Sequence, residues 1–360
     1  DFLKALSNDI VRAKYFVVSN AEDQKSLILP NGRFVYPVSE DKPIETIKSD
    51  NVVRFYSKNK MYTGLGLATK LWMADYVSSG DFAELAKSAV GIERIAVLRA
   101  DVDDLGRAFV SGFKHDKFGE KYITLSRTAT LSRQLSLFFK YHMNYILKNP
   151  QFRLKDNGKT ARNATVVYSG GDDMFIVGSW NDCLELAIDV SDAFAKYTQK
   201  TLSISAGLGM FEHSYPIARM AYETGGLESR AKNVDEKKDK IALFDEEQVY
   251  HWDELKNKVI GEKFSVIKNF FDNSSDRGKA FIYKLLDYIR NIDEKINIAR
   301  LAYLLARLEP DKKDEKEKYS EFTKKIYAWA LESDESRNQL KTALYLYVYL
   351  EREKEAKSNV

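Results

Sequence analysis

The segment 165–177 (TVVYSGGDDMFIV) constrains the fold most, because it sets two glycines and two adjacent aspartates between two apolar runs of strand length. The flanking runs are rich in β-branched, aromatic and other apolar residues, which is typical of paired strands. Gly170 and Gly171 form a two-residue hairpin signal. The segment therefore predicts a tight β-hairpin whose tip presents the carboxylates of Asp172 and Asp173.

The chemistry of this tip suits phosphate and metal ions. Glycine at both turn positions tolerates a positive φ and leaves backbone N–H groups uncovered, so a polyphosphate could approach the main chain closely. Adjacent strand residues point to opposite faces, so one metal bound by both Asp172 and Asp173 requires a bend in the backbone. A third carboxylate would complete such a site.

A second acidic cluster ends an earlier strand. In segment 95–106 (IAVLRADVDDLG) an apolar run leads into Asp101, Asp103 and Asp104, before a glycine and a helix-like segment. If this strand lies beside the hairpin, Asp101 adds a third set of hard oxygen ligands, which suits Mg²⁺ or Mn²⁺. Two such ions could hold the attacking and leaving oxygens of a phosphoryl transfer. We favour Asp101 as a ligand and Asp104 as the N-cap of the following helix.

A structural interpretation of the same residues stays open at this point. Two glycines followed by acidic residues are common in solvated hairpins, and aspartates at strand ends also serve as helix caps. The second acidic cluster favours the functional interpretation.

The order of the predicted elements narrows the fold class. From residue 95 to residue 244 the pattern reads β-α-β-β-α-β with an extension. The elements that complete it are helices over 122–148 and 181–199 and strands over 202–211 and 241–244. This order predicts an α+β fold with a ferredoxin-like palm of the polymerase and nucleotide cyclase type, in which the first strand neighbours the hairpin.

Several separated sequence blocks resemble a known family. They are LWMADYV at 71–77, LRADVDDLG at 98–106, YSGGDDMFIVG at 168–178, LSISAGLGMF at 202–211, YPIARMAYETGGLESRAKN at 215–233 and KIALF at 240–244. In content, order and spacing they resemble the second palm domain of the large polymerase-like subunit of type III CRISPR effector complexes. The resemblance is greatest to the Csm-type (type III-A) branch.

The resemblance implies a specific activity. Such subunits use the GGDD palm to polymerise ATP into cyclic oligoadenylate messengers when the complex binds target RNA. The implied catalytic and metal-binding residues are Asp101, Asp172 and Asp173, which would hold two Mg²⁺ or Mn²⁺ ions. The implied nucleotide-binding residues are Ser169, Gly170, Gly171, Lys232 and Lys240. For the two lysines, a solvated surface position is the alternative interpretation.

The resemblance also implies partners that this sequence does not contain. The chain begins at Asp1 without an initiator methionine, and nothing in it resembles the HD nuclease domain or the first palm domain of the family. We therefore expect the C-terminal part of a longer protein, which is weak or inactive alone. The implied partners are that N-terminal half, the other effector subunits, guide RNA and target RNA. The single-stranded DNase activity tied to the HD domain is not expected here.

Composition and patterning set the domain organisation. The 360 residues are 44% hydrophobic with a net charge of +3 and one cysteine, Cys183, in an apolar helical pattern. No membrane span or signal peptide is evident, so we expect a cytoplasmic protein. We predict the end of a small β-rich linker domain over 1–88, the palm over 89–250, and an all-α domain over 251–360. The charged run 311–318 is expected to be a solvated loop or helix end.

Two other functions stay open from the sequence. A diguanylate-cyclase-like enzyme also carries a GGDD-like hairpin, although Met174 replaces the phenylalanine of that signature and the helical region after the palm is not typical of it. A catalytically silent palm that serves as a scaffold in an RNA–protein complex is the third possibility. The intact acids at Asp101, Asp172 and Asp173 argue against such a loss of activity.

Overall fold

The computed structural model describes residue 9 and residues 13–39, 50–60, 68–114, 116–156, 158–272, 279–307, 309 and 313–352. The chain divides into two compact units. The first unit comprises residues 1–77, 109–145 and 168–173, and the second comprises residues 78–108, 146–167 and 174–360.

A five-stranded sheet of order β2-β3-β1-β4-β5 lies in the first unit. Its strands are β1 (Tyr15–Ser19), β2 (Leu27–Ile28), β3 (Phe34–Val38), β4 (Val52–Lys58) and β5 (Thr69–Leu71). Buried Tyr15, Val17, Val38 and Phe55 form its core. The turn between β2 and β3 contains Gly32, which takes a φ of 76°. This sheet accounts for the β-rich region expected before the palm.

A six-stranded sheet of order β11-β10-β9-β6-β8-β7 carries the predicted palm strands. Its strands are β6 (Ile95–Val102), β7 (Ala164–Gly170), β8 (Asp173–Ser179), β9 (Ile204–Phe211), β10 (Lys240–Leu243) and β11 (Val249–His251). The central order β9-β6-β8-β7 is that of the ferredoxin-like β-α-β-β-α-β unit. β9 is antiparallel to β6, and β10 adds a parallel strand beside β9. The predicted palm fold is confirmed.

The helices follow the apolar periodicity of the sequence. The α-helices are α1 (Phe82–Lys87), α2 (Leu105–Ser111), α3 (Leu125–Leu137), α4 (Met143–Lys148), α5 (Trp180–Tyr197), α6 (Ile217–Asn233), α7 (Trp252–Glu254), α8 (Ser265–Asp272), α9 (Lys279–Arg290), α10 (Lys295–Arg307), α11 (Lys313–Glu332) and α12 (Asp334–Glu351). Two π-helical segments, Phe138–His142 and Leu255–Phe264, connect α3 to α4 and α7 to α8. The all-α region after the palm is therefore confirmed.

Several predicted helix limits differ from the structure by a few residues. The helix expected from residue 122 begins at Leu125, because the Thr124 side chain accepts a hydrogen bond from the Arg127 N–H and caps it. The charged run 311–318 includes the start of α11 at Lys313. Of the two predictions for this run, a solvated loop or a helix end, the helix end is therefore correct for residues 313–318.

A buried ion cluster joins α5 to the segment that precedes β7. The guanidinium of Arg162, 1% exposed, contacts Glu185, lies 2.6 Å from an oxygen of Asp189 and 3.7 Å from one of Asp182. Backbone N–H groups of the same segment complete the cluster: Leu154 donates to Glu185 and Phe152 to Asp189, at 3.0 and 2.9 Å. Burial raises the pKa of Glu185 to about 7, against the opposing charge of Arg162.

Candidate active site

The hairpin tip lies one residue later than the sequence predicted. Gly170 is the last residue of β7 and Asp173 the first of β8, so Gly171 and Asp172 form the turn. Of the two glycines only Gly171 has a positive φ, 70°. A Cβ added there would meet nothing within 4 Å, whereas one at Gly170 would lie 3.1 Å from the Cε of Lys140. The prediction of two turn glycines was wrong, because strand pairing extends through Gly170.

The side chains around the tip are tied to their own unit. Ser169 Oγ donates to the carbonyl of Phe139 at 2.7 Å, so its hydroxyl proton is used internally. Tyr168 donates to the carbonyl of Gly170 at 3.1 Å. Burial and the nearby charge and hydrogen bond of Asp173 raise the pKa of Tyr168. The tip therefore has strong negative charge beside an open glycine backbone.

Asp101 lies at the end of β6 and holds a lysine ammonium. It is the penultimate residue of β6 and pairs with Ser205 of β9 across the sheet. Its carboxylate accepts a hydrogen bond from Lys232 Nζ, in the last turn of α6. Lys232 Nζ also lies 3.3 Å from Glu228, and Arg99 Nε lies 3.2 Å from the other oxygen of Glu228.

The electrostatics of Lys232 follow from these contacts. Burial acts to lower its pKa, but the hydrogen bond to Asp101 and the charges of Asp101 and Glu228 outweigh burial and raise it. Lys232 is therefore a fully charged ammonium at neutral pH. Its side chain is only 21% exposed, so the solvated alternative for this lysine was wrong.

Two participants in this network were missed from the sequence. Arg99 stands two residues before Asp101 on β6, and alternation in a strand places both on one face. Glu228 stands one helical turn before Lys232, the favourable order for a Glu–Lys pair on a helix. These spacings were the available signals, but neither shows that the two pairs meet.

The other acids of the β6 end have structural partners. One oxygen of Asp103 accepts hydrogen bonds from Ser203 Oγ at 2.7 Å and from the Asp239 N–H at 3.1 Å. Asp104 directly precedes α2, and its carbonyl accepts from the Ala108 N–H at 3.0 Å. The Asp104 carboxylate instead pairs with Lys238, at 2.5 Å. Asp104 thus has the predicted position at the helix start, but its side chain binds a lysine.

Lys240 lies away from solvent. It begins β10 and is 4% exposed, and its ammonium contacts Asp235. The hydrogen bond from Lys240 holds the pKa of Asp235 below its usual value. The solvated alternative is wrong for this lysine as well, and a phosphate would have to displace Asp235 to reach it.

A close helix–strand approach positions the Lys232 network. A Cβ added to Gly207 of β9 would lie 2.4 Å from the Glu228 nitrogen and 2.6 Å from the Thr224 carbonyl oxygen. Gly207 therefore lets α6 rest on β9. Without a side chain there, Glu228 and Lys232 reach the end of β6.

Gly207→Ala is expected to lower the free energy of unfolding by about 1–3 kcal/mol, because the new methyl group must push α6 from β9. Urea denaturation measures the change. Gly226→Ala is the control, because Gly226 lies in α6 itself and a Cβ added there meets nothing within 4 Å. That variant should be neutral or more stable by up to about 1 kcal/mol. Equal losses in the two variants would contradict the packing role of Gly207.

The donor set of the site suits a hard cation. The candidate ligands are carboxylates, and Asp101 already binds a cation in the form of the Lys232 ammonium. Within the described ranges, no three or more His, Cys, Asp or Glu side chains gather closely enough to hold a metal ion. Taken singly, the carboxylates fit a magnesium-type ion in their chemistry.

Among the residues that the structure describes, no helix has the length and apolar character needed to span a membrane.

Comparison with known proteins decides the family. Residues 94–242 match the family model of the Cas10/Cmr2 second palm domain, and residues 268–353 match the second helical domain of the Cmr2 subunit of the CRISPR RNA silencing complex. The CRISPR system single-strand-specific deoxyribonuclease Cas10/Csm1 (subtype III-A) of Mycobacterium tuberculosis is 41% identical over 357 residues, which are 98% of this chain and 44% of that protein. The chain belongs to the Cas10/Csm1 family.

This result confirms the resemblance found in the sequence blocks. The Cas10/Csm1-family chain spans less than half the length of its Mycobacterium relative. A crystal structure of a Csm1–Csm4 cassette with pppApApA has a TM-score of 0.69 at 23% identity, covering 95% of this chain and 49% of that one. A Csm1–Csm4 cassette with cA4 has a TM-score of 0.68 at 23% identity, covering 94% and 49%. At such identities these likenesses establish the Cas10/Csm1 fold alone.

Proposed function

We propose that this chain contributes the GGDD palm of a type III-A CRISPR effector complex and that the palm polymerises ATP into cyclic oligoadenylates. The observation that carries the proposal is the position of Asp101, whose carboxylate lies at the end of a ferredoxin-like strand and holds the ammonium of Lys232. The chain that contains it is of the Cas10/Csm1 family. The pppApApA and cA4 bound to related cassettes support an oligoadenylate product. A linear triadenylate with a 5′-triphosphate is what condensation of ATP would leave.

The carboxylates have one role in this proposal. Asp101, Asp172 and Asp173 would hold two Mg²⁺ or Mn²⁺ ions, and the family resemblance is the reason for grouping them. When bound, such ions lower the pKa of the attacking hydroxyl and neutralise the charge of the triphosphate. The reaction is the attack of a 3′-hydroxyl on the α-phosphate of a second ATP, with pyrophosphate leaving.

The remaining residues would bind and orient the nucleotide. The open backbone at Gly171 lets a phosphate approach, with Gly170 before it in the hairpin. Lys232 is the charged group nearest Asp101 and would bind the triphosphate. Lys240 would have to leave Asp235 to do the same, and Ser169 keeps acceptor capacity for a ribose or adenine contact after donating to Phe139.

The proposal includes partners and limits. The activity is expected only when the chain is assembled with the N-terminal HD and first palm domains, the other effector subunits, guide RNA and target RNA. The two matching models, a second palm domain and a second helical domain, favour this function over a diguanylate cyclase. The predicted domain limits at residues 89 and 250 stay part of the proposal.

Asp101→Asn tests the metal role of the strand end. In the assembled complex this variant should lower the rate of oligoadenylate formation by at least about a hundredfold, because a ligand charge is lost while the shape is kept. Product formation is measured by chromatography of labelled ATP. Asp104→Asn is the matched control, since Asp104 pairs with Lys238 at the surface, and should stay within about threefold of wild type. Equal effects of the two variants would overturn the assignment of Asp101.

A further inference from the structure

The Lys232 ammonium occupies the carboxylate that the proposed function gives to a metal ion. Lys232 Nζ donates to one oxygen of Asp101, and both side chains are about three-quarters buried, with 21% and 26% exposed. The pair is therefore partly shielded from water, where the attraction between opposite charges is stronger than at an open surface. Asp101 is already neutralised before any metal arrives.

The metal ion and the Lys232 ammonium compete for the negative charge of the Asp101 carboxylate. A magnesium ion lies about 2.0–2.1 Å from its ligand oxygens and repels a neighbouring ammonium. An ion that binds the Asp101 oxygen held by Lys232 therefore displaces the ammonium, and an ion that binds the other oxygen is repelled by the ammonium across the same carboxylate. Wherever Lys232 goes, its charge has to find another partner.

A second partner is already in place. Glu228 lies 3.3 Å from Lys232 Nζ, one helical turn earlier on α6. Arg99 fixes Glu228 from the strand side, at 3.2 Å, and Glu228 is only 13% exposed. The backbone of α6 at Glu228 is itself held close to Gly207. Glu228 can thus retain the ammonium beside the site after it leaves Asp101.

We infer that Lys232 competes with the divalent ion for Asp101, and that Glu228 holds the displaced ammonium ready to bind the triphosphate. The inference rests on the proposed metal role of Asp101. It couples two events, because the ion that occupies Asp101 also releases the lysine that binds phosphate. A chain without nucleotide therefore binds the ion weakly, and ATP with its metal binds better than either alone.

The affinity of the 360-residue chain for Mn²⁺, measured without nucleotide, tests this coupling. Electron paramagnetic resonance measures the concentration of free Mn²⁺, and the affinity follows from it. Lys232→Met should bind Mn²⁺ about fivefold to tenfold more tightly than wild type, since the competing charge is removed. Lys238→Met is the matched control, because Lys238 pairs with Asp104 instead. It should change the affinity by less than about twofold. Asp101→Asn should weaken the binding.

The outcomes separate the inference from the proposed function. If Asp101→Asn weakens Mn²⁺ binding but Lys232→Met leaves it unchanged, the metal site stands and the competition is overturned. If Lys232→Met and Lys238→Met tighten binding equally, the effect is a general one of net charge and the inference fails. If Asp101→Asn has no effect, both the inference and the metal role of Asp101 fail.

A chemical rescue keeps the test valid if the methionine variant folds poorly. Lys232→Cys introduces a partly accessible thiol, whereas Cys183 is fully buried and burial raises the pKa of its thiol. Alkylation with 2-bromoethylamine restores an ammonium at position 232, and alkylation with iodoacetamide leaves a neutral group. The first product should return to the weak Mn²⁺ affinity of wild type and the second should stay tight. Equal affinities of the two products would overturn the inference.

Discussion

Replacement of both hairpin aspartates, Asp172→Ala with Asp173→Ala, is expected to reduce nucleotide polymerisation by at least about a thousandfold while leaving complex assembly intact. Both side chains are only half-buried and lie at the turn and first strand position of the hairpin. Neither contributes to a hydrophobic core, so their loss should remove charge and no packing. Activity is measured as oligoadenylate formed from ATP, and assembly as the size of the purified complex.

The double asparagine variant at the same positions is the matched control for shape. It keeps the size and polarity of both side chains but removes their charge, so it should be as inactive as the alanine variant. Full activity of the asparagine variant would show that metal binding is not the role of these residues. Loss of assembly in the alanine variant would count heavily against the site assignment.

Arg162→Met is expected to lower the free energy of unfolding by about 3–5 kcal/mol, because it leaves several buried carboxylates without their cation. Arg162 is the guanidinium that contacts Glu185 and Asp189 in the cluster on α5. Urea denaturation measures the loss. Arg94→Met is the control: Arg94 pairs with Glu212 at 2.8 Å with 33% and 63% exposure. An exposed pair of this kind should contribute about 0.2–1 kcal/mol.

The pH dependence of the Arg162 variant gives a second readout. Burial raises the pKa of Glu185 to about 7, from its usual value of 4.5. A carboxyl group whose pKa is higher in the folded state costs stability as pH rises from about 4.5, where the unfolded chain ionises first. Without the Arg162 charge this cost grows, so the deficit should be larger at pH 7 than at pH 5. If the loss of unfolding free energy in Arg162→Met does not change with pH, uncompensated carboxylates are not its cause.

The hairpin and palm strands could be predicted because they depend on local patterns. Apolar runs on both sides of two glycines fix a hairpin, and the order of strands and helices fixes the ferredoxin-like sheet. The turn was misplaced by one residue, onto Gly170 instead of Asp172. Its position depends on how far the pairing of β7 with β8 extends, which glycine content does not reveal.

The partners of the charged residues could not be predicted in the same way. Lys232 and Lys240 looked alike in sequence, yet one contacts Asp101 and the other Asp235. The choice depends on where α6 and β10 meet β6 and β9. Spacing along the chain carries no record of such tertiary contacts.

The Arg162 cluster was missed for a related reason. Its acids, Asp182, Glu185 and Asp189, follow a helical stripe on α5 that is typical of a solvated face. The stripe is instead buried, because Arg162 and the preceding segment lie on it. Arg162 is separated from Glu185 and Asp189 by 23 and 27 residues along the chain. Only the fold brings these side chains together, so the sequence pattern of α5 does not reveal their burial.

The most direct test of the central claim identifies the product. The chain, assembled with the remaining family domains, the other effector subunits and guide RNA, is given target RNA, Mg²⁺ and each nucleoside triphosphate separately, and the products are identified by mass spectrometry. We predict cyclic oligoadenylates from ATP alone, absent from the Asp172→Ala, Asp173→Ala complex. Cyclic diguanylate from GTP, or no product from a correctly assembled complex, would contradict the account.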